Sequence, residues 1–369
     1  MTHSAAPLQI TPLNAWHKAH GARMVDFGGW EMPVQYTSIV AEHLTCRKSA
    51  ALFDTCHMGE FTLTGAGALA TLQHVMSRDL TGLKPGQARY GFLTTEQGTV
   101  VDDCIAYRLP DDTDGTRYFL CVNAGDIPGD FGWIAARKQG ELAFANESEA
   151  WAKIDIQGPA AETILARRTP ADLGKLKRWR AAYADVAGVK TLISRSGYTG
   201  MDGFELFYPA DQAVKLWEAL LEAGRPEGIL PAGLGARDTL RTEACLPLYG
   251  HELSREVTPL EANQGWAVSL GKDFVGAAAL RAMQAAGVPR QVMPFRTGGK
   301  KPARQGAEVR VDGRVVGRVT TGTFSPSLDE AVGMALIETA FAKPGQAVEL
   351  VVRDKALPAQ LVEKPLVQP

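Results

Sequence analysis

Hydrophobic and polar positions change period several times along this chain, and each change marks an element. From Asp211 to Ala223 the apolar residues Ala213, Leu216, Trp217, Leu220 and Leu221 fall on one stripe of a 3.6-residue period, which predicts an amphipathic helix. Ser38 to Ala50, Ala66 to Met76 and Asp126 to Gln139 read as further helices, and Thr11-Pro12 opens a short one that Gly21 closes. Between them lie strands at Glu60 to Thr64, Tyr90 to Leu93, Val100 to Arg108 and Tyr118 to Val122, with Glu96-Gln97-Gly98 turning between the second and third. After Ala286 the helical period stops. Gly287 to Ala307, with Pro289, Pro294, Gly298, Gly299 and Pro302, reads as a loop. Beyond it Glu308 to Val311 and Arg314 to Thr320 flank Asp312-Gly313, a type I′ hairpin signal, and strands follow at Ala331 to Leu336, Ala347 to Val352 and Gln360 to Val362. The pattern predicts a mixed α+β region over residues 1–284 and a small β-barrel domain over 285–369. At 369 residues the chain is too long for one ordinary core, so two or three domains are expected.

Charge enters this pattern where a core belongs. Glu205 lies in the apolar, aromatic run Gly203-Phe204-Glu205-Leu206-Phe207-Tyr208, a strand opening after the Gly-rich turn Gly197-Tyr198-Thr199-Gly200. Arg237 lies on a predicted helix between Leu234 and Leu240, at the spacing that shares a face. Buried charges are rare unless paired or bound to something. A structural Glu–Arg ion pair meets that condition, and so does a pocket in which the carboxylate accepts two parallel N–H bonds from a ligand. A second place is Gly98 to Tyr107, where Asp102 and Asp103 stand side by side in a strand-like run. Alternation puts Asp102 with Val100, Cys104 and Ala106, and Asp103 with Val101, Ile105 and Tyr107. One of the two points into an apolar interior, and periodicity does not say which. A carboxylate there either caps backbone N–H groups or does chemistry.

Composition narrows the classes. A hydrophobic fraction of 45% with 22% charged residues is that of a soluble globular protein, and a net charge of -2 gives no footprint for nucleic acid or anionic membrane. No apolar run approaches a membrane span, and Met1 to Leu8 has neither a charged n-region nor an apolar h-region, so the cytoplasm is the expected compartment. Cys46, Cys56, Cys104, Cys121 and Cys245 are dispersed, which argues against a disulfide framework or a zinc site and for five small buried hydrophobes. His17 and His20 read as a solvated helix face, and His57 as structural. No metal is expected.

The ordered series of short motifs carries a resemblance. Gly21 to Pro33, Leu52-Phe53-Asp54-Thr55-Cys56-His57-Met58-Gly59, Gly98 to Asp103 and Gln157-Gly158-Pro159 come first. Gly197 to Tyr208, Gly233 to Ala244, Thr258 to Asn263 and Thr321 to Leu328 follow. In this order and spacing, from about residue 10 to about residue 360, the chain resembles the aminomethyltransferase family, most closely the T-protein of the glycine cleavage system. The resemblance implies a three-domain α+β cloverleaf, two α+β subdomains around a folate channel plus a C-terminal β-barrel. It implies tetrahydrofolate as co-substrate and the lipoylated H-protein as partner, with Asp102 catalytic. Glu205 and Arg237 match the polar folate contacts, and Met58, Tyr90, Asn123, Tyr198 and Trp266 fall where the family lines the channel. Each lining residue also has an ordinary core reading, which residue type favours for Met58 and Trp266. Cys56 stands where the family has Ser, Met201 where it has Glu, and no terminal aromatic follows Val367. A demethylase of the same fold is the nearest alternative. Folate-binding relatives that assist iron–sulfur assembly are disfavoured by Asp102, and a flavin amine dehydrogenase by the lack of a G-x-G-x-x-G unit.

Overall fold

The computed structural model describes residues 7–368. They form two compact units, and the chain passes between them at residues 60/61, 146/147 and 238/239. The α+β class with a C-terminal barrel is as the sequence pattern predicts. Among the described residues no helix is long and apolar enough to cross a membrane.

In the first unit the main sheet runs in the order Ala181–Val186, Val189–Ser194, Gly203–Pro209, Trp151–Gln157, Ala51–Asp54, Leu230–Ala232. Only the last pair is parallel. Alternation along Trp151–Gln157 sends Ala152, Ile154 and Ile156 into an apolar core with Phe204, Leu206 and Tyr208. Leu216, Trp217 and Leu220 of the helix Ala213–Ala223 close that core, on the stripe the period predicts. The same alternation sends Lys153, Asp155 and Gln157 to the other face, where they too are buried. On that face the sheet buries charge instead of hydrocarbon. Ser38 caps the helix Ile39–Lys48 by accepting from the Ala41 N–H at 3.1 Å.

The second unit contains a five-stranded sheet in the order Ala88–Thr94, Val100–Arg108, Arg117–Val122, Gly59–Thr64, Ala143–Asn146. The helices Ala68–Val75 and Ile127–Ala135 cover one face, burying Leu72, Val75 and Ile134 against Phe61, Leu93 and Leu120. Phe92 and Val100 on the other face pack on Leu253, Val257 and Ala267. The remaining strands close a six-stranded barrel, Arg290–Arg296, Glu330–Glu338, Arg314–Ser325, Glu308–Val311, Ala347–Val352 and Lys355–Leu361. Asp312 and Gly313 both have positive φ, as a type I′ turn requires. The reading of Gly287 to Ala307 as a loop is corrected: Arg290–Arg296 is a full barrel strand, paired along its length with Glu330–Glu338. Pro294 is tolerated because its carbonyl, and with it its missing N–H, faces Lys355–Leu361, where the ladder begins only at Phe295.

Candidate active site

On the charged face of the first unit, Asp155 and Glu205 stand directly opposite one another across the antiparallel pair of strands. Lys153, two residues before Asp155 and 0% exposed, reaches both: its Nζ lies 2.8 Å from Asp155 Oδ1 and 2.6 Å from Glu205 Oε1, and it donates to Thr55 Oγ1 at 3.1 Å. Ser196 donates to the second oxygen of Glu205 and exchanges a hydrogen bond with Ser194 at 2.7 Å. Arg237 pairs with Asp155 Oδ2 at 2.8 Å and lies over the ring of Tyr198, 4.9 Å from its centroid. Glu205 and Arg237 therefore take separate partners, and the simple Glu–Arg pair open to the sequence is replaced by the chain Glu205–Lys153–Asp155–Arg237. Burial raises the Asp155 pKa and the two cations more than offset it, holding the carboxyl below its usual range. Glu205 is 4% exposed. With one oxygen on Lys153 and the other on Ser196, each oxygen keeps a lone pair for a further donor.

The loop before Glu205 is shaped by Gln157. Its side chain accepts from Thr199 Oγ1 at 2.8 Å and donates to Ser196 O at 3.0 Å, and a Cβ on Gly197 would collide with it. The helix Leu234–Glu243, which carries Arg237, begins against the Val34 carbonyl, where Gly233 has no room for a side chain. Fully buried Glu42 anchors that start, accepting from the N–H groups of Gly233 at 2.9 Å, Tyr36 at 2.6 Å and Thr37 at 2.9 Å.

In the second unit Asp102 is 3% exposed and accepts from Asn123 twice, from the backbone N–H at 2.9 Å and the side-chain amide at 2.8 Å. The same amide reaches Asp103 Oδ1 at 2.8 Å, and Tyr90 donates to Asp103 Oδ2 at 2.9 Å. The two aspartates divide between the faces, Asp102 on the side of Cys104, Ala106 and the helix Ile127–Ala135 and Asp103 on the side of Tyr90, but their expected companions Val100 and Val101 are exchanged. The pairing register shifts so that Leu93 opposes Asp102 while Thr94 opposes Val100, leaving Val101 extra. Val101 then joins Cys104 and Ala106 in one core while Val100 joins Phe92 in the other. Asp130, on the helix Ile127–Ala135, adds a third carboxyl hydrogen-bonded to Asp102. Burial raises the pKa of all three, and the Asp102 charge pushes Asp103 and Asp130 further up, while the Asn123 and Asp130 donors favour the anion on Asp102. Asp130 thus holds a proton and donates it to Asp102. Among the described residues no group of His, Cys, Asp and Glu is arranged to hold a metal ion.

The side chains expected to line a channel fall into the two units. Asn123 bonds both Asp102 and Asp103, and Tyr90 bonds Asp103 and stacks on Trp266 at 5.7 Å between centroids and 21° between planes. Trp266 is 54% exposed, so the core reading fails for it. Tyr198 lies with Arg237, and Met58 is half-buried in the turn after Asp54. The reading of His17 as solvated is also corrected. It is fully buried, bonded to Asp54 at 2.9 Å and to the Tyr36 hydroxyl at 2.7 Å, whereas His20 is exposed and stacks on Trp16. Burial lowers His57 to about 4, which leaves it neutral. All five cysteines are buried and none is in a disulfide. Sequence reasoning missed Lys153, Asp155, Glu42 and Asp130.

Two family models cover most of the chain, the GCVT N-terminal domain over residues 13–272 and the glycine cleavage T-protein C-terminal barrel domain over residues 290–368. An aminomethyltransferase of Anoxybacillus flavithermus is 46% identical over 97% of this chain and 98% of its own length. One of Desulforamulus reducens is 43% identical over 97% and 98%. The crystal structure of the glycine cleavage system aminomethyltransferase T from Bartonella henselae superposes with a TM-score of 0.91 at 32% identity, covering 98% of both chains.

Proposed function

Because the chain belongs to the glycine cleavage T-protein family of aminomethyltransferases, we propose that it moves the one-carbon unit of an aminomethyl group to tetrahydrofolate. The group arrives as a thioaminal on the lipoyl arm of the H-protein. Its C–N and C–S bonds break, two C–N bonds to folate nitrogens form, and ammonia, the lipoyl thiol and 5,10-methylenetetrahydrofolate leave. The two protons shed by the folate nitrogens balance the ammonia and the thiol. The observation that carries this reading is the buried carboxyl Asp102, whose pKa burial raises against the pull of three donors, beside Asp103, which takes the Tyr90 hydroxyl. Such a carboxylate stabilises the positive charge that develops on carbon as the amine departs, and it handles a proton at a folate nitrogen. Glu205 accepts the N–H pair of the pterin edge on its two outward lone pairs, and Arg237 and Tyr198 are further contacts. Met58 in the first unit and Tyr90, Asn123 and Trp266 in the second are proposed as folate contacts. We place the reaction in the cytoplasm and the boundary between catalytic region and barrel domain near residue 285.

The test supplies a verified aminomethyl-lipoyl carrier and tetrahydrofolate and measures ammonia. Release that depends on both is expected. No release above a no-enzyme control sinks the proposal, and turnover of a small methyl donor in its place would point to a demethylase.

A further inference from the structure

Antiparallel partners directly opposite one another hold their Cβ atoms about 4.5–5.5 Å apart, so the buried pair Asp155 and Glu205 would repel strongly if both were ionised and nothing lay between them. Lys153 is the group that lies between. It projects from the same face as Asp155, its Nζ contacts one oxygen of each carboxylate, and it is wholly buried. Every charged or titratable group around this cluster can be assigned. Arg237 faces Asp155 from the helix Leu234–Glu243, and Asp54 is spoken for by His17, Thr11 and the Cys56 N–H. His57, whose ring feels Lys153, Asp155, Asp54 and Arg237, is neutral. Glu60 is buried with neither carboxyl oxygen hydrogen-bonded, and burial pushes its pKa well above the usual value. The basic groups in direct contact with the facing pair are Lys153, on both carboxyls, and Arg237, on Asp155.

We propose that Lys153 is the positioning residue of the Glu205 subsite: it keeps Glu205 ionised opposite Asp155 and turns its free lone pairs toward the pterin edge. The inference rests on the folate reading of that subsite and adds to it that recognition depends on a cation that touches no ligand. If Lys153 is removed, Asp155 and Glu205 share a proton. Arg237 stays with Asp155 and keeps it anionic, so the proton falls on Glu205, and a protonated Glu205 no longer accepts two N–H bonds. Raising the pH removes that proton and restores the acceptor.

Tetrahydrofolate is titrated calorimetrically into the full chain between pH 6 and 9, beside steady-state kinetics. Wild-type affinity is expected to be flat with pH. Lys153→Met is expected to bind about tenfold or more weakly at pH 7, the scale of one pKa unit of mismatch, and to recover as the pH rises. Its KM for tetrahydrofolate rises while kcat at saturation stays near the wild-type value. Lys153→Gln, which keeps a donor without the charge, shifts in the same direction by less. Lys153→Met/Asp155→Asn removes the repelling carboxylate and returns most of the affinity at pH 7. If wild type binds and Lys153→Met binds equally well at every pH, the positioning role falls while the folate reading stands. If wild type itself does not bind tetrahydrofolate, the folate reading falls and takes the inference with it. Failure of both single variants to fold makes Lys153 a purely structural residue and overturns the proposal too.

Discussion

Asp102 is almost wholly buried, so burial pushes its pKa up while its donors pull it back. Asp102→Asn keeps the shape and removes the charge, so turnover at saturating folate is expected to drop about 100-fold or more with little change in melting temperature. Asp103→Asn with a larger loss would reverse that assignment. The Asp130 hydrogen bond lowers the Asp102 pKa. Asp130→Ala removes it, so Asp102 ionises only at higher pH and the acid limb of the kcat/KM profile moves up, whereas Asp130→Asn retains a donor and leaves the limb nearer its wild-type place. An acid limb unmoved in Asp130→Ala would show that the Asp102 charge is set elsewhere. Residue by residue, the candidate site was legible where a charge interrupts an apolar run, as at Glu205 and Arg237. It was not legible at Lys153 and Asp155, because Trp-Ala-Lys-Ile-Asp-Ile-Gln alternates like any strand with one wet face. Alternation records that a face is polar, not whether water or another charge lies against it. Asp130 was hidden for a similar reason, since an acid in the first turn of a helix is ordinary.

Between residues and the whole lie the elements, and here the sequence was most readable. Helices with a cap or a stripe, such as Ile39–Lys48 and Ala213–Ala223, fall where period and caps put them. Arg290–Arg296 was misread because Pro294 argues against a strand unless the ladder on its N–H side is short, a fact of topology. The bulge at Val101 was equally invisible, because one extra residue in a strand leaves no mark on composition. Glu42 shows how one side chain fixes an element far away in sequence, since it ties the start of the Arg237 helix to the turn at Tyr36 and Thr37. Glu42→Ala leaves three buried N–H groups without that acceptor, at about 1–3 kcal/mol each when nothing replaces it. Urea unfolding is expected to show a loss of about 3 kcal/mol or more, with Glu42→Gln intermediate because its carbonyl oxygen still accepts. A loss under about 1 kcal/mol in Glu42→Ala would mean that water takes over the role.

At the scale of the whole molecule, family membership and class were legible because motif order spans nearly the full chain, while the division into units was not. Each unit is assembled from separated stretches of sequence. In the first, Ala51–Asp54 pairs with Trp151–Gln157 on one side and Leu230–Ala232 on the other. That arrangement sets a timetable for the ribosome. The strand at 51–54 leaves the exit tunnel with neither neighbour yet made, and its sheet stays open until residue 232 has emerged. Non-local pairings of this kind form late and leave strand edges uncovered meanwhile. Stalled nascent chains probed with protease are therefore expected to protect residues 7–60 only once the exposed length passes 232. Protection at a length near 150 would mean that the sheet is stable without its last strand. If the timetable holds, the newborn chain must be shielded for more than half of its synthesis, and its demand for chaperones is written into the order of its strands.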